Sequence, residues 1–149
     1  MNIVLIAPEI PNNTGNIGRL ALASGSKLHL VKPFGFELTD KKLKRAGLDY
    51  WKHIAVFIYE SQEEFFNKHR QEKMVFFSAH GKQTHWEISY TEDLFLVFGK
   101  ESVGLPKDLI AKEDAIVAKI PLQTPQIRSL NLANAVAIAV YEGLRQLSS

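Results

Sequence analysis

The chain has 149 residues, no cysteine, a formal charge of +2, 46% hydrophobic residues and 23% charged ones. That length suits one domain, 1–149, with a single adequate core, and the composition is ordinary for a globular protein. Disulfides and thiolate metal sites are excluded, no apolar run reaches the ~18 residues of a membrane span, and Pro8, Glu9 and Pro11 interrupt any secretory signal pattern.

In chain order, an apolar run at Asn2–Ala7 predicts a first strand, and Thr14–Ser24 predicts a helix stopped by Gly25. A strand follows at Lys27–Val31, then a helix at Thr39–Ala46 with Gly47 as its stop, then a strand at Ala55–Tyr59. Ser61 with Glu64 makes a capping-box start for a helix over Ser61–Arg70. Strands are predicted at Lys73–Ser78, Leu94–Gly99 and Ala115–Ile120, with a short helix at Pro106–Lys112. Several of these strands are apolar without alternation, as parallel strands covered on both faces are. The alternation of strand and helix predicts an α/β fold with a parallel sheet flanked by helices.

A last helix is expected from Ser129 to about Leu147, and it is apolar around most of its circumference. Such a helix is buried on more than one side, either as an ordinary core helix or with one side in a dimer interface. Before it runs Ile120-Pro121-Leu122-Gln123-Thr124-Pro125, a loop whose two prolines lack amide donors and cannot relax into regular structure. A shaped loop feeding a helix N-terminus offers backbone groups to a small polar ligand.

Two other segments carry candidate chemistry. Pro11-Asn12-Asn13-Thr14-Gly15-Asn16-Ile17-Gly18-Arg19 follows the first strand, where a dinucleotide loop would sit, but no third glycine stands in register and no P-loop lysine follows. It places Arg19 in the first turns of a helix, where a guanidinium can fork onto a phosphate or ribose oxygen. Phe98-Gly99-Lys100-Glu101-Ser102-Val103-Gly104-Leu105-Pro106 follows a buried strand and so lies at the carboxyl edge of the sheet, where open α/β folds bind ligands. Glu101 is either a group for a sulfonium or amino-acid moiety or a carboxylate at a helix start. A valine in place of Gly99 is expected to fill the pocket while the protein stays folded. His80 and His85 have no third ligand at metal spacing, so no metal is expected. The basic run Lys41-Lys42-x-Lys44-Arg45 is either a solvated helix face or a set of phosphate contacts.

These three segments, with Phe34-Gly35-Phe36 and Lys44-Arg45-Ala46-Gly47-Leu48-Asp49-Tyr50-Trp51, resemble the SPOUT class of S-adenosylmethionine-dependent RNA methyltransferases. The similarity is closest to the small tRNA wobble-ribose 2'-O-methyltransferases and spans nearly the whole chain. It implies a C-terminal trefoil knot, which no composition argument would propose. It also implies methylation of the wobble ribose of tRNA, on cytidine or a modified uridine and with leucine tRNAs as expected substrates. S-adenosyl-L-methionine is the implied cofactor, held by Ser78, Gly99, Ile120, Leu122, Ser129 and Leu130, mostly through backbone atoms. Arg19 is the implied catalytic residue. Because a guanidinium seldom gives up its proton, orienting the nucleotide and stabilising alkoxide charge come before a base role. Asn13, Arg19 and Tyr141 are the implied substrate contacts, although Tyr141 is equally suited to an interface or core. The implied partners are the tRNA anticodon arm and a second copy of the chain, with no membrane, in the cytoplasm. A non-catalytic RNA-binding α/β module would explain the basic run but not the three loops. A flavodoxin-like domain would explain the alternation but lacks its phosphate loop.

Overall fold

In the computed structural model, residues 1–39, 41, 45 and 50–148 are described. The elements are β1 (Asn2–Ile6), α1 (Pro11–Ser24), β2 (Lys27–Val31), β3 (Val56–Tyr59), α2 (Gln62–Lys68), β4 (Met74–Phe77), β5 (Gln83–Thr84), a 3-10 turn (His85–Glu87), β6 (Phe95–Phe98), α3 (Lys107–Ile110), β7 (Ile116–Lys119) and α4 (Leu132–Leu147). The six expected strands are present, each within one residue of its expected ends. A two-residue strand, β5, adds itself where the polar stretch between His80 and His85 reads as loop. Most of the expected helix over 39–46, its stop at Gly47, and Lys42 and Lys44 of the basic run lie outside the described residues.

The strands form one seven-stranded sheet in the order β3-β2-β1-β6-β4-β7-β5, and every pairing is parallel. Leu5 sits opposite both Leu30 and Phe98, so the central strands share one register and end along one edge. Successive side chains of β1 enter opposite layers. Ile3 and Leu5 join Ile17 and Ala21 of α1 and Val136, Ala139 and Val140 of α4, whereas Val4 and Ile6 join Phe65, Leu105 and Leu109 on the other face. Burial on both faces is why β1 reads as an unbroken apolar run.

Helix boundaries hold the corrections. α1 begins at Pro11 rather than Thr14, with proline at its first position, where no amide is required. Arg19 is therefore the ninth residue of α1, one turn deeper than a start at Thr14 implies. Its stop is as expected: Gly25 adopts φ 68° and its amide reaches Ala21 and Leu22 carbonyls. Ser61 caps α2 by accepting from the Glu64 amide at 3.1 Å, although the helix closes at Lys68 rather than Arg70. α4 begins at Leu132, not Ser129. Asn131 is the cap, accepting from the Asn134 amide at 3.2 Å, and Ser129 stays in the loop.

α4 is also not evenly covered. Val136, Ala139, Val140 and Gly143 are buried, while Asn134, Ile138, Tyr141 and Arg145 form an exposed stripe along the other side. Gly143 is required by close packing, since a Cβ there would stand 2.5 Å from the Met1 sulfur and 2.7 Å from the Tyr90 ring.

Candidate active site

Because all strands run parallel, the loops after β1, β4, β6 and β7 emerge on one edge, at the point where the strand order reverses between β1 and β6. Side chains then cross-link them. The Glu101 carboxylate accepts from the amides of Glu9 at 2.9 Å and Ile10 at 2.6 Å. Glu9 answers by accepting at one oxygen from the Ser102 amide at 2.9 Å and its hydroxyl at 2.7 Å. These bonds hold the Glu9 carboxyl below the usual carboxylate range. Asn13 donates to Glu101 at 3.3 Å and accepts from the Asn131 side-chain amide at 3.0 Å, while Asn131 caps α4. One chain of hydrogen bonds thus joins the start of α1, the loop after β6 and the start of α4.

Glu101 resolves to the helix-start carboxylate. No residue at the start of α1 offers a side-chain cap, and its first turn has no acid. An acidic group from the β6 loop supplies both, satisfying amides that the helix leaves unpaired. Asn13 is buried, 6% exposed, and its side-chain amide ties the loops together through Glu101 and Asn131. The partners in these roles are not legible from spacing, because they lie 88 and 118 residues away in sequence.

The expected cofactor residues gather on three neighbouring strands. Ser78 follows β4, Gly99 ends β6, and Ile120 and Leu122 follow β7, with Leu130 just before α4. Ser78 turns inward: its amide donates to the Ala118 carbonyl at 3.0 Å and its hydroxyl accepts from the His80 amide at 3.1 Å. The loop after β6 folds back on itself through a Gly104-to-Lys100 backbone bond at 2.9 Å, and Gly104 has φ 74°. A Cβ on Gly99 would overlap the Gly104 carbonyl group and the Leu105 amide. The expected benign filling of the pocket at position 99 is therefore corrected: a side chain there displaces the loop itself. Ile120, Leu122 and Leu130 are half-buried, and among the described residues the amides of Leu122 and Leu130 donate to no protein acceptor. Ser129 is exposed. Apolar side chains beside free main-chain donors suit a ligand with a flat heterocycle and hydrogen-bonding edges.

Arg19 projects from the exposed face of α1, with its guanidinium carbon 5.0 Å from the centre of the Tyr50 ring. Tyr141 is 50% exposed on α4, which packs beside α1. Two clefts, of about 590 and 520 Å³, lie elsewhere, around Ile110–Val117 with His80 and Lys82, and around Phe66, Met74 and Phe76. Neither includes Gly99, Leu130 or Arg19, so they are not the site described by these loops. Among the described residues no group of three or more His, Asp or Glu side chains is placed to hold a metal ion, and no helix is long and apolar enough to cross a membrane.

Loops tied in this way along the carboxyl edge of a parallel sheet form a ligand site of the kind open α/β folds use. The chain belongs to the SpoU rRNA Methylase family, which it matches over residues 1–141. Among its relatives is the Escherichia coli tRNA (cytidine(34)-2'-O)-methyltransferase, 41% identical over 150 residues that cover 99% of this chain and 94% of that one. A solved structure concerned with the 2-OH methylation of C/U34 on tRNA superposes with a TM-score of 0.94 at 45% identity, covering 99% of this chain and 95% of that one. The SpoU methyltransferase AviRb from Streptomyces viridochromogenes, solved in complex with the cofactor AdoMet, superposes with a TM-score of 0.88 at 25% identity, over 100% of this chain and 58% of that one.

Proposed function

We propose that this chain is a tRNA 2'-O-methyltransferase acting on the ribose of the anticodon wobble nucleotide, cytidine or a modified uridine, with leucine tRNAs as the expected substrates. The observation that carries the reading is the Glu101–Asn13–Asn131 tie, which assembles the three motif loops of a family of methylases into one edge site. The relatives described above support the nucleotide and the position. S-adenosyl-L-methionine, when bound, supplies a methyl group on a sulfonium; the residues that would hold it are Gly99, Ile120, Leu122 and Leu130, with Ser78 and Ser129 at the margins.

The residues of the chain then have separable tasks. The loop after β6 and the proline loop orient the donor and exclude water. Arg19 orients the nucleotide and stabilises negative charge as the 2'-hydroxyl gives up its proton, because electrostatic stabilisers fixed in advance act without reorganisation. Exposed Tyr141 offers a ring for a splayed base, and the exposed cations Lys41 and Arg45 offer charge to phosphates of the anticodon arm. The protein works as one domain, in the cytoplasm, with its C-terminal segment threaded as a trefoil knot. It forms a homodimer through the open side of α4 that carries Ile138.

The test is labelled methyl transfer into tRNA, with the mark located by nuclease digestion and mass spectrometry. The expected product is one methyl on the wobble ribose. Arg19→Ala should lower the rate by roughly two to three orders of magnitude while keeping the fold and cofactor binding. A methyl on a base, or on a ribose outside the anticodon, refutes the substrate; an undiminished Arg19→Ala refutes the arginine.

A further inference from the structure

Resting on the role proposed for Arg19, we infer that Tyr50 is its positioning residue: the Tyr50–Trp51 pair docks onto the Gly18–Arg19 step of α1 so that the Tyr50 ring holds the guanidinium. The geometry is specific. Gly18 is buried, and a Cβ there would stand 2.8 Å from Cζ3 of Trp51 and 3.2 Å from Cδ1 of Ile54. The glycine is thus a notch that admits both side chains. Trp51 is half-buried and packs against the core below α1, and Ile54 is 9% exposed within it. The backbone between them is fixed by the His53 amide on the Tyr50 carbonyl at 2.9 Å and the Ile54 amide on the Trp51 carbonyl at 3.1 Å.

That anchor leaves Tyr50 in a different situation from its neighbours. It is 39% exposed, and its ring lies under the Arg19 guanidinium, 5.0 Å from the centroid to the carbon. An arginine on an open helix face has several freely rotating bonds, and fixing them during reaction costs conformational entropy. A ring held by a packed turn takes up part of that cost in advance, and its negative face attracts the cation without neutralising it. A carboxylate partner would instead quench the charge that a developing alkoxide requires. The Trp51–Gly18 contact therefore sets where the turn sits, and Tyr50 converts that placement into the direction of Arg19.

The test compares Tyr50→Leu, Tyr50→Phe, Arg19→Ala and the Tyr50→Leu/Arg19→Ala double variant in steady-state methyl transfer to tRNA. Tyr50→Leu should lower kcat roughly tenfold, with KM for tRNA and the thermal shift given by S-adenosylmethionine unchanged, and Tyr50→Phe should stay within about twofold of the parent. In the Arg19→Ala background, Tyr50→Leu should cost nothing further, because the group that it positions is gone. Equal activity of Tyr50→Leu and Tyr50→Phe overturns the inference. So does an independent loss in the double variant, which would mean that Tyr50 meets RNA itself. If Tyr50→Leu and the polar Tyr50→Gln both fail to fold, the ring belongs to the core and the inference also falls. An active Arg19→Ala, by contrast, removes the arginine reading and leaves the docking of Tyr50 as a purely structural contact.

Discussion

Glu101 closes on the backbone amide of Ile10 at 2.6 Å across 91 residues of sequence, giving the start of α1 the negative charge that its own first turn lacks. Through the same carboxylate it holds Asn13, and through Asn13 it holds the cap of α4. The helix that carries Arg19 and the loop that would meet the cofactor are therefore one mechanical unit. Glu101→Gln keeps the shape but removes the charge and leaves an amide nitrogen facing amide donors. It should cost about 1.5–3 kcal/mol of stability in chemical denaturation, the range for hydrogen bonds to charged groups, and shrink the stabilisation given by cofactor. Unchanged denaturation and cofactor response would show that the tie is dispensable.

Cofactor itself should stabilise the chain. S-adenosyl-L-methionine and its demethylated product bind only the native state, so a hundredfold excess over Kd should add about 2.7 kcal/mol, read as a rise in Tm. Gly99→Ala should remove that rise and lower Tm in the absence of ligand, since the added Cβ overlaps the Gly104–Leu105 backbone. Overpacking of this kind costs about 1–3 kcal/mol. An Ala variant as stable as the parent would mean that the loop yields freely.

Assembly is tested on the exposed stripe of α4. Val140 is fully buried, so a charge there would unfold the monomer and say nothing of a dimer. Ile138 is 39% exposed and stands beside Tyr141 on the open side. Ile138→Asp should leave the circular dichroism spectrum unchanged and convert a dimer to a monomer in analytical ultracentrifugation at micromolar concentration. A parent protein that sediments as a monomer would end the dimer proposal.

Acid should weaken the fold through His29. This side chain is 3% exposed, and burial, followed by the charges of His69, Lys27 and Lys68, pushes it from an ordinary 6.5 down to about 4. Its Nε2 faces the Asn2 side-chain oxygen at 3.0 Å, an acceptor whose own amide nitrogen donates to Asp93. Nε2 must therefore carry the proton, and Nδ1 accepts from the Tyr59 hydroxyl at 2.9 Å, so a second proton on Nδ1 requires that hydroxyl to turn its own proton toward His69 Nε2, 2.9 Å away. The unfolded chain binds that proton more readily than the folded one. Stability from His29 is thus complete above about pH 6.5, falls as pH drops toward 4, and levels off below it, with a total near 3 kcal/mol. His69 and His85 are lowered by burial too and act in the same sense. Thermal melts between pH 7.5 and 4.5 should show the decline, and His29→Gln should flatten it; an equal slope in that variant would assign the loss to other groups.

The sequence by itself determined the layers and the line of the edge. Runs such as Ile3–Ile6 and Phe95–Phe98 have no polar face to offer water, so they become central parallel strands, and the residues that follow them must form the ligand edge. It also determined the Gly25 stop and the Ser61 start, because both depend on backbone preferences within a few residues. Only the tertiary structure decided what Glu101 and Asn13 do, where α1 and α4 begin, and which side of α4 is left open. Each of those outcomes depends on a partner distant along the chain: the cap of α1 comes from the loop after β6, and Gly18 receives Trp51. Local propensity has no access to such partners. A helix with no cap of its own reads as starting late, and a buried asparagine reads as a free one, until the sheet brings the loop that completes it.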